Sequence, residues 1–188
     1  MNREEMLLKL SKKLSKSRYE HSIGVEYTAA NMAFVLGADV EKARLAGRLH
    51  DCAKYMTGEE MIKKCKKHNL DITTAEYDNP TLLHAKLSSR YAKIKYDIAD
   101  EEVLQAITWH TTGKPNMNLL EKIIFVADYI EPNRKPLKDI EIIRREAYSD
   151  IDRCIEHILC NTITYLEKNS SVIDDMSIKT YEFYKKEN

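Results

Sequence analysis

The stretch Leu49-His50-Asp51-Cys52-Ala53-Lys54 follows an alanine-rich helical pattern that runs from Ala43 to Leu49. Adjacent residues on a helix point about 100° apart, so neighbouring polar side chains normally face different surroundings. His50 and Asp51 can nevertheless face the same point if a metal ion lies at the edge of the helix, because each side chain then reaches the ion from its own side. The alternative is a solvated turn residue at Asp51 and a core histidine at His50, and the dipeptide alone favours that alternative.

The composition indicates one globular domain built mainly from helices. The chain has 188 residues, of which 43% are hydrophobic and 32% charged, so it can bury a full hydrophobic core. Five glycines and four prolines are few for a β-rich fold, which must turn often. We therefore expect a single domain over residues 1–188.

The charge balance argues against a general nucleic-acid coat. The 30 basic and 30 acidic residues cancel, so any site for a polyanion must be a local patch. The basic run at residues 63–68 is the strongest such patch, and a solvated helix face is the favoured interpretation of it. RNA binding by this run is the weaker alternative, and it predicts a strongly salt-dependent affinity.

Two features point to the cytoplasm. No apolar run approaches the roughly 20 residues that a membrane helix needs, and the sequence begins Met-Asn-Arg-Glu-Glu rather than with a signal peptide. The four cysteines form no CxxC pair, so we expect them to be reduced thiols. The sequence therefore predicts a cytoplasmic protein without a membrane partner.

Helix signals cover nearly the whole chain. Apolar stripes with helical spacing alternate with polar capping residues and with stops such as Gly37. An irregular segment is expected at residues 71–79, and Pro80 suits the first turn of the helix after it. Breaks are expected at Pro132 and Pro136. The predicted helix starts are the capping boxes Ser17-x-x-Glu20 and Thr57-x-x-Glu60 and the residues Asp39, Asp100, Asp139 and Asp150, and a last amphipathic segment is expected from Asp174 to Lys186.

The most apolar segment, residues 118–129, contains an aspartate. A run of this length could be a buried strand, but its Glu121-Lys122 start and its helical neighbours favour a central buried helix. Asp128 interrupts the apolar run, and buried carboxylates are usually paired or bound to metal. The predicted fold class is therefore all-α, a helical bundle with a polar residue in its central helix.

Four of the six histidines lie in helical segments beside apolar runs. With two aspartates in similar settings, their joint occurrence by accident is improbable. The set comprises His21, His50, Asp51, His84, His110 and Asp128. His68 and His157 lack this setting, and we interpret both as structural.

The order H…HD…D in an all-α chain resembles the HD superfamily of metal-dependent phosphohydrolases. His84 and His110, between the HD pair and the last aspartate, resemble the HD branch that can hold two metals. Longer strings resemble more narrowly the YqeK family, bacterial HD proteins that hydrolyse diadenosine tetraphosphate symmetrically to two ADP. These strings are Arg18-Tyr19-Glu20-His21-Ser22, Leu49-His50-Asp51-Cys52-Ala53-Lys54, Trp109-His110-Thr111-Thr112-Gly113 and Phe125-Val126-Ala127-Asp128-Tyr129-Ile130-Glu131-Pro132-Asn133-Arg134.

The resemblance implies that four residues are metal ligands: His21, His50, Asp51 and Asp128. Imidazole and carboxylate donors suit iron, manganese, zinc or cobalt, and the absence of cysteine ligands argues against a structural zinc site. Iron comes from the resemblance alone, with manganese or cobalt as alternatives. A metal of this kind lowers the pKa of bound water and polarises a phosphoryl oxygen, and both effects serve attack on a phosphoanhydride.

Phosphoryl transfer also needs positive charge around the transferring group. Lys54 follows His50 and Asp51 at helical spacing, and Arg134 could reach back over the site as a bidentate phosphate clamp. A solvated surface cation is the alternative for each. Including the family pattern, the candidate catalytic residues are Asp51, Lys54, His84 and His110, and the candidate substrate-binding residues are Arg18, His21, Lys54, His84, His110, Thr111, Asp128 and Arg134.

His84 and His110 have two open roles. They are either ligands of a second metal or phosphate contacts that donate protons to the leaving phosphate. We favour phosphate contact beside one firmly held metal. Thr111, Thr112 and Gly113 could lend hydroxyls and a backbone amide to a phosphate.

The leading hypothesis is a hydrolase whose partners are a dinucleoside polyphosphate substrate and a nucleoside diphosphate product. The alternatives are another HD nucleotide phosphohydrolase, such as a deoxynucleoside monophosphate phosphatase, and a non-catalytic nucleotide-binding regulator. The intact ligand set argues against the regulator. Candidate adenine-stacking residues are Tyr19, Tyr55, Tyr129 and Tyr165, although core packing is commoner for such rings. The C-terminal segment with Tyr181 and Tyr184 is a candidate homodimer interface.

Overall fold

The computed structural model describes residues 1–134 and 137–185. Those residues form eleven α-helices and one short 3-10 helix, and they contain no strand, so the all-α prediction is confirmed. The helices are α1 (Arg3–Ser11), α2 (Lys16–Leu36), α3 (Val40–Leu49), α4 (Gly58–Lys67), α5 (Thr74–Asp78), the 3-10 helix Pro80–Leu83, α6 (His84–Tyr96), α7 (Glu101–Trp109), α8 (Leu119–Ile130), α9 (Ile140–Ser149), α10 (Ile151–Lys168) and α11 (Asp175–Tyr184).

Most predicted caps are where the helices begin. The Asp39 side chain accepts a hydrogen bond from the Lys42 amide, and the Thr57 capping box forms as expected. Asp100 and Asp150 likewise cap α7 and α10, and Asp174, the first residue of the predicted C-terminal segment, caps α11. These bonds satisfy amides that the first turn of a helix leaves without a partner.

Three local predictions fail, and two predicted positions lie outside the described residues. The helix predicted to open at Ser17 begins at Lys16, and Ser15 caps it. The segment predicted as irregular contains α5. Asp139 precedes α9 in a left-handed conformation (φ 57°) and makes no capping bond with its side chain. The break predicted at Pro136 and the last residue of the C-terminal segment, Lys186, lie outside the described residues.

The centre of the molecule is the contact of α2 with α3 and α8. Gly47 on α3 allows the two backbones to approach, because a Cβ there would lie 3.0 Å from the Val25 carbonyl oxygen. α8 is buried along most of its length, and Ile123 and Ile124 have no exposed surface. The functional residues therefore lie on helices that the core holds in fixed positions.

A buried ion pair also joins α2 to α3. The Glu26 carboxylate has no exposed surface and accepts hydrogen bonds from Arg48 Nη2 at 2.7 Å and from Arg48 Nε at 3.0 Å. Arg3 Nε donates to the same carboxylate at 2.9 Å. Burial alone raises the pKa of Glu26, but the hydrogen bonds from Arg48 and Arg3 outweigh it and lower the pKa below the ordinary value.

The cysteines are free thiols, as predicted, with three buried and Cys160 exposed. Among the described residues, no helix combines the length and apolar character that crossing a bilayer requires.

Candidate metal centre

The structure brings the six predicted histidines and aspartates into one cluster. His21 comes from the second turn of α2, and His50 and Asp51 lie at the end of α3. His84 begins α6, His110 ends α7 and Asp128 lies in the last turns of α8. Five of the six residues are buried, and the Asp128 side chain keeps 19% of its surface exposed. Five helices therefore meet at one point.

The predicted ligand set forms the first half of the cluster. His21 Nε2 lies 3.0 Å from Asp128 Oδ1 and 3.3 Å from His50 Nε2. His50 Nε2 lies 3.7 Å from Asp128 Oδ1 and 3.7 Å from Asp51 Oδ2. Two imidazole nitrogens and two carboxylate oxygens thus surround one small volume.

Asp51 also faces a second group, made by His84 and His110. Asp51 Oδ1 lies 3.2 Å from His84 Nε2 and 3.7 Å from His110 Nε2, and the two ring nitrogens are 3.0 Å apart. The two carboxylate oxygens of Asp51 therefore point to different halves of the cluster. Three different sets of three ligand atoms, all from these six residues, lie close enough together for each set to hold a metal ion.

Hydrogen bonds at Nδ1 orient three of the four imidazoles through backbone carbonyls. His50 Nδ1 lies 2.7 Å from the Gly47 oxygen, and His110 Nδ1 lies 2.7 Å from the Ile107 oxygen. His84 Nδ1 faces the Thr81 oxygen in the same way. A proton on Nδ1 that donates to a carbonyl leaves the Nε2 lone pair free, as a metal ligand requires.

One buried atom in the cluster lacks a hydrogen-bond partner. No residue in the described part of the chain donates a hydrogen bond to Asp51 Oδ1, although Asp51 is 2% exposed. A buried carboxylate oxygen without a partner is costly, and coordination of a cation removes that cost. The donors are imidazole and carboxylate, a set that suits divalent iron, manganese, cobalt or zinc. The residues therefore fit a divalent metal ion.

Comparison with known proteins agrees with this arrangement. Residues 18–133 match the family model described as HD domain, a range that contains all six clustered residues. The chain belongs to the HD-domain family.

Relatives within the family are similar over nearly the whole chain. A protein of Halalkalibacterium halodurans named symmetrical bis(5'-nucleosyl)-tetraphosphatase is 43% identical, with 96% of each chain covered. A Bacillus subtilis protein of the same name is 36% identical, with 97% of each chain covered. A crystal structure from Clostridium acetobutylicum, described as a predicted HD superfamily hydrolase involved in NAD metabolism, has a TM-score of 0.95 and 37% identity. It covers 98% of this chain and 97% of its own.

The electrostatics of the HD cluster keep its carboxylates ionised. Burial alone raises the pKa values of Asp51 and Asp128, but neighbouring histidines, and Arg134 beside Asp128, lower both well below the ordinary value. Burial lowers the pKa of His50 to about 4. Burial, helped by the nearby Lys54 ammonium, also lowers the pKa of His84. The cluster thus presents anionic oxygens together with neutral rings at His50 and His84, the forms that bind a metal. Burial alone lowers the pKa of His21, but its hydrogen bonds with Asp128 and Glu131 outweigh burial and raise that pKa above the ordinary value.

Three cations surround the HD cluster where the sequence predicted them. Arg18 Nη1 lies 3.1 Å from Asp51 Oδ2, and Arg134 Nη2 lies 2.6 Å from Asp128 Oδ1. Lys54 Nζ lies 2.9 Å from His84 Nε2. All three therefore lie within reach of a phosphate bound at the cluster. The Thr111 hydroxyl lies 3.3 Å from His84 Nε2, so it also faces the site.

The two remaining histidines and the candidate adenine-stacking tyrosines lie elsewhere. His68 packs edge-on against Tyr91, and His157 Nδ1 lies 2.9 Å from a Glu146 oxygen, so neither joins the cluster. Tyr19, Tyr55 and the pair Tyr129 and Tyr165 line three separate cavities of about 470, 450 and 330 Å³. The described walls of these cavities contain none of the clustered histidines or aspartates.

Sequence reasoning missed Glu131 as a residue of the site. Its Oε1 lies 3.0 Å from His21 Nδ1, on the side of the ring opposite the cluster. Glu131 stands directly before Pro132, a position typical of an exposed helix end, but it is 1% exposed. The feature of the sequence that could have indicated this contact is Gly24, a glycine in the middle of a helix. Its missing Cβ leaves room for the Glu131 carboxylate.

Proposed function

We propose that this protein hydrolyses diadenosine tetraphosphate at its centre to give two ADP, and that it is a symmetrical bis(5'-nucleosyl)-tetraphosphatase. The observation that carries the proposal is its similarity to three proteins of that name, at 34–43% identity over 96–98% of this chain. The cluster of buried imidazole and carboxylate donors supplies the chemistry that such a reaction needs. The HD-domain match over residues 18–133 spans these donors.

The proposed metal ligands are His21, His50, Asp51 and Asp128, and the proposed metal is iron, with manganese or cobalt as alternatives. A divalent ion bound there supplies a water of lowered pKa and polarises a phosphoryl oxygen. The protein's part is to hold the carboxylates ionised and to direct the Nε2 atoms of His21 and His50 into the cluster. The Nε2 atoms of His21 and His50 lie 3.0–4.0 Å from the nearest oxygens of Asp51 and Asp128, and these short distances support the assignment.

The proposed phosphate contacts are the three cations around the cluster. Arg18 and Arg134 now pair with metal-ligand carboxylates, and a guanidinium in that position can turn one edge towards a phosphate. Lys54 is an ammonium at the His84 ring, and burial lowers its pKa. These groups would stabilise charge on the polyphosphate and orient it, which is most of what phosphoryl transfer asks of a protein.

His84 and His110 are proposed as phosphate contacts and proton donors to the leaving phosphate, with the Thr111 hydroxyl beside them. The Lys54 ammonium supports this role, because a cation next to His84 favours an anion there over a second metal. Metal analysis of the purified protein tests the choice. One ion per chain agrees with phosphate contact, whereas two ions, reduced to one in His84→Ala, would assign the two histidines to a second metal.

Product analysis tests the reaction. Protein purified without oxygen and loaded with iron, or with manganese, should convert diadenosine tetraphosphate to ADP alone. ATP plus AMP as products would refute symmetrical cleavage. In a competition assay, NAD and a deoxynucleoside monophosphate should be hydrolysed much more slowly than diadenosine tetraphosphate. Faster loss of either would favour another HD nucleotide phosphohydrolase.

A variant separates catalysis from mere nucleotide binding. Asp51→Ala removes the carboxylate that faces both halves of the cluster, so turnover should vanish in it. Unchanged turnover would place the activity elsewhere or in a contaminant. ADP binding without any turnover in the loaded wild type would instead indicate a non-catalytic regulator.

The proposal extends to organisation and location. We propose one domain over residues 1–188, supported by one continuous hydrophobic core and by relatives of similar length.

A cytoplasmic location is supported by the free thiols, because a reducing compartment preserves them. A homodimer through α11 is supported by Phe183, which is 53% exposed on that helix. Tyr184, which the sequence suggested for the interface, is 5% exposed and accepts a hydrogen bond from the Met117 amide, so it belongs to the core instead. Sedimentation of wild type and Phe183→Glu tests the dimer.

A further inference from the structure

The Glu131 carboxylate is held at both oxygens. Oε1 lies 3.0 Å from His21 Nδ1, and Oε2 accepts a hydrogen bond from the Asn133 amide at 2.8 Å. The Glu131 amide itself donates to the Ala127 carbonyl, which fixes the backbone at the end of α8. With 1% of its surface exposed, Glu131 is a buried anion that faces the back of a metal-ligand histidine.

Gly24 provides the space that this carboxylate occupies. A Cβ at Gly24 would lie 2.3 Å from Glu131 Oε2 and 3.1 Å from its Cδ. Glycine inside a helix costs roughly 0.5–1 kcal/mol relative to alanine. Gly24 lies in the middle of α2, so it carries that cost while leaving room for a side chain from α8.

The position of His21 in its helix explains why it needs such a partner. His50 and His110 follow the last turns of α3 and α7, where backbone carbonyls have no partner inside the helix and can accept from Nδ1. His21 lies within α2, where the nearby carbonyls already accept from helix amides. An acceptor for His21 Nδ1 must therefore come from another segment.

We propose that Glu131 is a positioning residue for His21, and that Gly24 serves to admit it. The carboxylate holds the proton of His21 on Nδ1, directs Nε2 into the cluster and makes that nitrogen a stronger ligand. Among the four clustered histidines, His21 alone has an anion as its Nδ1 partner. The inference rests on the proposed function insofar as it takes His21 to be a metal ligand.

The first test compares metal affinity in two isosteric variants. Glu131→Gln keeps the shape and removes the charge, and it should weaken Mn²⁺ affinity about 10–100-fold in competition with a chelator. The matched control is Glu121→Gln, because Glu121 is also a 1% exposed glutamate and lies in the first turn of α8, away from the end that Glu131 follows. The control should bind Mn²⁺ as wild type does. Equal affinity in Glu131→Gln and wild type would overturn the proposal.

The second test uses the steric relation between the two residues. Gly24→Ala should weaken Mn²⁺ affinity in the wild type, because its Cβ displaces the carboxylate. In the Glu131→Ala background the same change should have no further effect, since the nearest remaining atom is Asn133 Nδ2 at 3.3 Å. Equal losses in both backgrounds would show that Gly24 acts on the helix rather than through Glu131.

The third test needs neither metal nor substrate. Nitrogen-15 spectra of the histidine side chains in metal-free protein should show His21 protonated on Nδ1, and Glu131→Gln should change that pattern while the other clustered rings keep theirs. An unchanged His21 signal would overturn the proposal. Failure to hydrolyse diadenosine tetraphosphate would refute the proposed function and leave this result standing.

Discussion

The sharpest test of how this fold is held together is the removal of the buried carboxylate of Glu26. In Glu26→Ala, the guanidinium of Arg48 loses both of its charged hydrogen bonds, at 2.7 and 3.0 Å. The Arg48 side chain is 6% exposed, so water cannot replace the lost partner. Arg3 and Arg44 also face Glu26, but they are 38% and 29% exposed and can turn towards solvent.

The expected loss is large compared with the stability of a single domain. Removing one partner of a buried ion pair costs about 3–5 kcal/mol, because an unpaired charge stays buried. Typical domains have free energies of unfolding of about 5–15 kcal/mol. With a urea dependence of roughly 2 kcal/mol per molar, the unfolding midpoint of Glu26→Ala should fall by about 2 M.

Urea unfolding followed by circular dichroism at pH 7, on metal-free protein, measures this loss. The control is Glu20→Ala, one to two turns away on α2, because the Glu20 carboxylate is 55% exposed and pairs with the exposed Lys16 at 3.9 Å. That control should cost less than about 1 kcal/mol. The double variant Glu26→Met with Arg48→Met removes both charges and should recover most of the loss.

A loss in Glu26→Ala as small as that in Glu20→Ala would refute the reasoning, because Arg48 would then have found another partner or water. The pH dependence is a second check. The folded pKa of Glu26 lies below its ordinary value of 4.5, so its contribution is complete above that value. The contribution should be lost as the pH falls through the folded pKa, and the Glu26→Met, Arg48→Met protein should lack this component.

Three further predictions concern the metal centre. Mn²⁺ at 100 times its dissociation constant should stabilise the protein by about 2.7 kcal/mol, seen as a higher Tm, and Asp51→Ala should abolish this gain. Gly47→Ala should lower both Tm and Mn²⁺ affinity, because its Cβ would lie 3.0 Å from the Val25 carbonyl oxygen and must push α3 away from α2. Lys54→Ala should lower turnover of diadenosine tetraphosphate about 100-fold with little change in Tm, whereas Lys63→Ala on the exposed face of α4 should leave turnover unchanged.

Much of the fold was predictable because helix ends depend on short-range chemistry. Asp39, Thr57 and Asp100 cap their helices as the sequence indicates, since the bond joins residues two or three positions apart. The start of α2 was misplaced because Ser15 and Ser17 both offer a hydroxyl at a suitable spacing. The choice between these two caps depends on how the helix packs against the rest of the molecule, and the sequence around the two serines does not contain that information.

The candidate site was predictable to the extent that its residues violate local rules. Asp128 in an apolar helix and histidines beside apolar runs are costly unless something pairs with them, so they stand out in the sequence. Glu131 violates no local rule, because a glutamate before a proline is ordinary at a helix end. Its role follows from a contact with His21, 110 residues earlier, that only the folded chain reveals.

The buried charges join the same helices that carry the ligands, and this bears on how the metal and the fold depend on each other. Glu26 and Arg48 join α2 to α3, and Glu131 joins the end of α8 to α2 through His21. The ligands on these three helices are thus brought together by protein contacts and core packing before any ion binds. Metal binding should then cost little reorganisation, and the chain should fold without it, unlike small domains whose folding depends on their metal. A metal-free protein that is compact and unfolds cooperatively in urea is what this arrangement requires.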